Sequence, residues 1–160
     1  RTGLEENRDE DIALVRGARL RHRDLRFIEA AGAFFQRADL EHSDLRYADL
    51  VAADFRQTNL ADVNMLGADL ALANLQEASL QRTNLEEANL AGTDFRGAKF
   101  SKVKLRNADL RDADLSQARF LTQEEIDLAC VDESTKPPSD LRKPPPCPDI
   151  TVIKSDPIHH

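Results

Sequence analysis

From Leu20 to Phe120 every fifth residue is a centre of one kind, and the register never slips. The 21 centres hold 14 Leu, five Phe, Met65 and Ala30. Two residues before each centre lies a small position, Ala at 13 of the 21 places and otherwise residues such as Ser43, Thr58, Val63, Thr83, Thr93 and Val103. Immediately before the centre stands Asp or Asn at 14 of 21 places, as in Ala38-Asp39-Leu40 and Ala88-Asn89-Leu90. A fixed internal period of this kind signals a repeat architecture.

A period of five excludes the ordinary elements. On an α-helix five residues advance by about 500°, a net 140° or so, and the Leu series would spiral around the helix without forming an apolar face. In a straight strand five is odd, so successive centres would alternate between faces. A chain that turns about 90° every five residues satisfies the pattern. Within each short extended side the centre and the small position point the same way. Four corners make one coil of 20 residues, and 21 sides make slightly more than five coils. Coils stacked about 4.8 Å apart give an all-β rod roughly 25 Å long. Leu40, Leu45, Leu50, Phe55, Leu60, Leu70, Leu75, Leu80, Leu85, Leu90, Phe95 and Phe100 are thus predicted to converge on one dry axis. Large centres against small Ala positions suit an interior that tolerates neither voids nor overpacking.

Composition agrees. Charged residues make up 32% of the chain and aromatics 5%, with no Trp. The outer positions carry the charge and the interior is narrow. No apolar run approaches the roughly 18 residues that span a bilayer, and no leader is visible, so the segment reads as cytoplasmic with no membrane contact. Cys130 and Cys147 lack metal-type spacing and are open to pairing across the tail. No nucleophile elbow, phosphate loop or zinc motif is present, and a filled coil offers no cleft. The expectation is therefore no enzyme and no cofactor.

These motifs resemble the pentapeptide-repeat proteins, whose consensus is Ala-Asp/Asn-Leu-x-x, over residues 18–120. The resemblance implies a right-handed quadrilateral parallel β-helix. It also implies that some members imitate duplex DNA and bind or protect DNA gyrase. The chain divides into an N-terminal cap (1–12), the repeat coil (13–120), a capping helix (121–131) opened by a Thr122/Glu125 capping box, and a Pro-rich extended or disordered tail (132–160). Its Thr135-Lys136-Pro137-Pro138 stretch resembles the ends of bacterial members. In the first coil Arg23 occupies a small inward position. Either that end is open or Arg23 is paired, with Asp9, Glu10 or Asp11 as candidates. Oversized Ile28 and undersized Ala30 compensate in volume.

Residues twenty apart stack into columns. One column carries Val51, Ala52, Ala71, Leu72 and Ala91, edged by Asp49 and Asp69. An apolar strip bordered by acids is a candidate contact surface. The adjoining column offers Arg26, Phe27, Arg46 and Tyr47, aromatic and Arg types that recur in binding hot spots. Phe34 replaces the usual Asp or Asn and is expected to face outward under the N-terminal segment. His22, His42 and Asp62 form a third column without the closed coordination a metal site needs.

The net charge is −7. Residues 38–98 hold 4 bases and 11 acids, whereas 18–37 and 99–120 are each +3. An acidic belt thus lies between basic ends. Direct nucleic-acid binding is not expected of such a balance. The leading expectation is a rigid scaffold for protein–protein contact or self-association. The alternative is a DNA mimic that acts on gyrase.

Overall fold

The computed structural model describes residues 15–147; the expected cap over 1–12, with Asp9, Glu10 and Asp11, lies outside that range. Isolated parallel bridges join residues twenty apart without a break. One face runs Arg19, Asp39, Asn59, Ser79, Lys99, Arg119, and the next runs Asp24, Asp44, Asn64, Asn84, Lys104. Turns recur every five residues, so four sides complete each coil.

The motif is explained by its backbone hydrogen bonds. In residues 59–63, the Asn59 N–H donates to Ala38 O (2.9 Å) in the coil before, and Leu60 and Asp62 donate to Ser79 O (2.8 Å) and Gln81 O (2.9 Å) in the coil after. Val63 closes the turn on Leu60 O (3.2 Å). One donor remains, Ala61 N–H, and the Asn59 side-chain Oδ1 accepts it at 3.1 Å. Asp44, Asp49, Asn64, Asp69, Asn74 and Asn89 do the same for the residue two ahead. A short side-chain acceptor is what this position requires.

The second turn residue takes a left-handed conformation, as type II turns demand. Fifteen non-glycine residues adopt it there, with φ between 55° and 62°. All five glycines of the described region, Gly17, Gly32, Gly67, Gly92 and Gly97, occupy the same phase of the repeat.

Inside, the twelve predicted centres are all 0% exposed. Phe35 and Phe55 stack in adjacent coils, with ring centroids 4.7 Å apart. Hydroxyls at small inward positions reach the preceding coil. Thr58, Thr83 and Thr93 donate to the carbonyls of Phe35, Leu60 and Leu70 at 2.6, 2.8 and 3.0 Å. Among the described residues no buried side-chain polar atom lacks a partner. Ile28 and Ala30 are both buried, as volume compensation requires. Arg23 is exposed, with its backbone N–H on Ser43 Oγ (3.0 Å), so the first coil is open at that position.

The far end departs from the repeat. Phe120 continues the series of centres in sequence, yet it is 63% exposed, with φ 65°. No further regular coil lies above to enclose it. Its ring rests on the Arg119 guanidinium (5.2 Å), and Leu121 takes the inward place. Helix α1 (Gln123–Asp127) follows, opened by the Thr122/Glu125 capping box, and it buries Ile126. The ladder then resumes. Cys130 bridges Asp109 and Lys136 bridges Asp114, over segments expected to lie beyond the coil. Thr135 is buried and donates to Leu110 O (2.8 Å), repeating the role of Thr93 two layers earlier. Cys130 and Cys147 are disulfide-bonded, with Cα atoms 5.1 Å apart.

Candidate functional site

The apolar strip lies on one corner of the coil. There the two turn residues of successive layers stack as Val51/Ala52, Ala71/Leu72 and Ala91/Gly92. Ala52 is exposed, Val51, Ala71 and Ala91 are half-buried, and Leu72 is 66% exposed. Leu72 leans over Gly92, where an added Cβ would lie 2.7 Å from Leu72 Cδ2. The absent side chain is what lets the Leu lie along the corner.

Beside this corner stands the flat face that carries Glu29, Asp49 and Asp69. Bridges link the three in sequence, so their carboxylates stack at the coil spacing. Asp49 and Asp69 spend one oxygen each on a turn N–H, at 3.2 and 3.1 Å. None of the three forms an ion pair among the described residues. Most other acids of the ladder are neutralised: Asp24, Asp44, Asp54, Asp94 and Asp109 each hold the Arg two residues on, at 2.7–2.8 Å.

On the other flank of that face, Phe27 (67% exposed) and Tyr47 (50%) stack with centroids 5.5 Å apart. Tyr47 lies over Gly67, which has no Cβ to obstruct the ring. Arg26 and Arg46 are both committed to carboxylates. The Arg26 guanidinium lowers the Asp24 carboxyl to about 2 by its side-chain hydrogen bond. Arg46 likewise holds Asp44 below the usual carboxylate range, first by its side-chain bond and against a modest push from burial. The patch is therefore aromatic in character, and its charges cancel locally. The signal for this was the Asp-x-Arg spacing at 24–26 and 44–46.

The histidine column also forms. His22 and His42 stack at 5.0 Å, and His42 Nε2 lies 3.9 Å from Asp62 Oδ2 and 3.7 Å from Glu41 Oε1, a neighbour the column reading missed. Glu41, His42 and Asp62 could place ligand atoms within 4.8 Å of one another. Both carboxylates already hold cations, however. Arg82 binds Asp62 through two bonds of 2.7 Å, and Arg21 binds Glu41. A metal would have to displace them. Phe34 is 37% exposed and lies beneath the Arg16 guanidinium, 5.5 Å from the ring centre.

A furrow of about 660 Å³ runs along the corner opposite the aromatic patch, lined by residues that include Arg37, Arg56, Gln57 and Glu77. Its side chains bond to one another, Arg37 to Gln57 (3.0 Å) and Gln57 to Glu77 (2.8 Å). Its one carboxylate among these, Glu77, is held by the Gln57 amide.

The family model "Pentapeptide repeats" matches eight copies of its motif over residues 18–57, 48–86 and 78–117. The chain belongs to the pentapeptide repeat family. Among solved structures, this pentapeptide repeat protein is similar to HetL of the cyanobacterium Nostoc sp. strain PCC 7120, described as involved in heterocyst differentiation regulation. The identity is 32%, 62% of this chain and 46% of that one are covered, and the TM-score is 0.47. The chain thus spans about half the length of HetL. A pentapeptide repeat protein of the Arabidopsis thaliana thylakoid lumen is 25% identical, with 64% and 71% of the two chains covered and a TM-score of 0.37. QnrB1, a plasmid-mediated fluoroquinolone resistance protein, is 18% identical, with 74% and 84% covered and a TM-score of 0.27. No curated protein matches the chain. Among the described residues no helix is long and apolar enough to cross a membrane.

Proposed function

We propose that this pentapeptide repeat protein is a rigid, non-catalytic scaffold that makes protein–protein contacts, with a second copy of itself as the first partner to test. We read the rod as a right-handed quadrilateral β-helix of about five coils, which fixes outer side chains in straight columns. One observation carries the reading: Leu72 and Val51 lie on a corner beside the carboxylates of Glu29, Asp49 and Asp69, which form no ion pair among the described residues. Elsewhere on the coil most ladder acids hold an Arg. An exposed apolar ridge beside unspent charge suits a protein partner, with the apolar part supplying affinity and the charge fixing orientation.

Sedimentation of the wild type and of the Val51→Arg/Leu72→Arg double variant tests this. The wild type is expected to associate as concentration rises. The variant should stay monomeric at an unchanged melting temperature, because both side chains point outward. Association of the variant equal to that of the wild type would remove this corner from the function.

The carboxylates of Glu29, Asp49 and Asp69 favour a second reading, a duplex-like acidic face that acts on DNA gyrase. Supercoiling assays with added protein separate the two. No change in gyrase activity at high protein concentration would eliminate the mimic.

A further inference from the structure

We propose that the Cys130–Cys147 disulfide is a redox lock on the C-terminal cap, which a dithiol reductant opens without unfolding the coil. The lock goes beyond the scaffold reading and does not depend on which partner binds. Residues 137–147 form a strap that leaves the ladder at Lys136, passes α1 and returns to Cys130. Beneath this end lie Ile126 and Val131, 0% and 1% exposed, and Leu141 of the strap packs against the same core.

The strap's own bonding is sparse. Five of its eleven residues are Pro and have no N–H to donate. The Gln123 side chain pairs with both backbone groups of Arg142 at 2.9 Å. Lys143 Nζ donates to Glu133 O (2.7 Å), and Cys147 N–H donates to Val131 O (3.2 Å). In the coil, by contrast, all five N–H groups of a repeat such as 59–63 have partners. The covalent closure of a loop with sequence separation 17 therefore contributes a large share of the strap's order and little of the coil's.

Both cysteines are half-buried, so a small thiolate can reach the bond. The step balances. The dithiol gives two electrons and two protons, the S–S bond breaks to two cysteine thiols, and the reductant closes to its own disulfide. Once released, the strap uncovers the Val131 carbonyl and the apolar end of the coil, a strand edge open to pairing. The lock is closed in an oxidising compartment and open in a reducing one. A persistent bond would thus speak against the cytoplasmic placement read from the sequence.

Hydrogen exchange by mass spectrometry on the full chain, oxidised and in excess dithiothreitol, tests the lock, with free thiols counted in parallel. Peptides from 131–147 should exchange about tenfold faster or more after reduction, while peptides from 40–100 stay unchanged. Cys147→Ser should reproduce the reduced pattern without reductant. Equal strap exchange in both states overturns the proposal. So does a coil that loosens together with the strap, or a bond that survives the reductant in the folded protein. Because reduction acts on protein already folded, the result stands even where the variant fails to fold.

Discussion

At the scale of single residues, each position of the motif answers a specific demand. The centre fills the axis, the small position leaves room for it, and Asp or Asn accepts the turn N–H that no coil neighbour can take. The first two demands were legible in the sequence as size alternation. The third was visible only as a preference, because its cause is a backbone hydrogen-bond count that needs coordinates. Truncation should separate these roles. Leu80→Ala empties a site that is 0% exposed and is expected to cost about 2–5 kcal/mol in urea unfolding. Thr83→Val keeps the volume but removes the donor to Leu60 O, at a cost of about 1 kcal/mol. Equal losses for the two would mean that hydroxyl bonding, not packing, sets the interior.

The outer carboxylates give a pH dependence with a definite sign. In Asp54 and Asp94 burial pushes the carboxyl up, but bonds from Arg56 with Gln36 and from Arg96 with Gln76 together bring it below its ordinary value. Asp44 and Asp62 are lowered chiefly by Arg46 and Arg82. A group whose folded value is depressed stabilises the fold fully above its unfolded value, about 4, and loses that contribution as pH falls through the folded value. Melting temperature should therefore fall as pH drops from about 4 towards 2. A melting temperature that rises over that window would show that these pairs do not favour the folded state.

At the scale of the element, the turn is the unit, and its chemistry was half legible. Every glycine of the repeat falls in one phase, the left-handed turn position. The non-glycine residues at that phase, such as Ala52 and Leu72, concealed it, because the coil holds them in a conformation they seldom choose. Ala52→Val places a β-branched side chain at φ 57°, where such residues are disfavoured beyond Ala, and should lower the melting temperature. Thermal unfolding checks this, and it also separates turn strain from any loss of contact at the neighbouring corner. The end of the coil was misplaced for a related reason. Phe120 keeps the five-residue beat, but the beat reports the inside of the coil only while another layer lies above it. The return of Cys130 and Lys136 to the ladder, after an excursion through α1, has no periodic signature.

At the scale of the whole molecule, columns matter more than neighbours in sequence. Twenty residues separate Val51 from Ala71 and Ala52 from Leu72, yet they are adjacent on the corner. Periodicity alone placed the apolar strip and the aromatic pair. It could not show that Arg26 and Arg46 are spent on Asp24 and Asp44, while Glu29, Asp49 and Asp69 form no ion pair among the described residues. Function by surface contact requires those columns to stay aligned, and that requirement can be tested without altering any proposed contact residue. Deleting residues 61–65 removes one side of the square. Every remaining centre still points inward, but all that follows is rotated by a quarter turn, so Leu72 leaves the corner that carries Val51. Circular dichroism and sedimentation of this deletion together are the most direct test. A cooperative unfolding transition with self-association lost is the predicted result. An unfolded chain would contradict the four-sided packing, and association equal to the wild type's would contradict a function carried by the aligned corner.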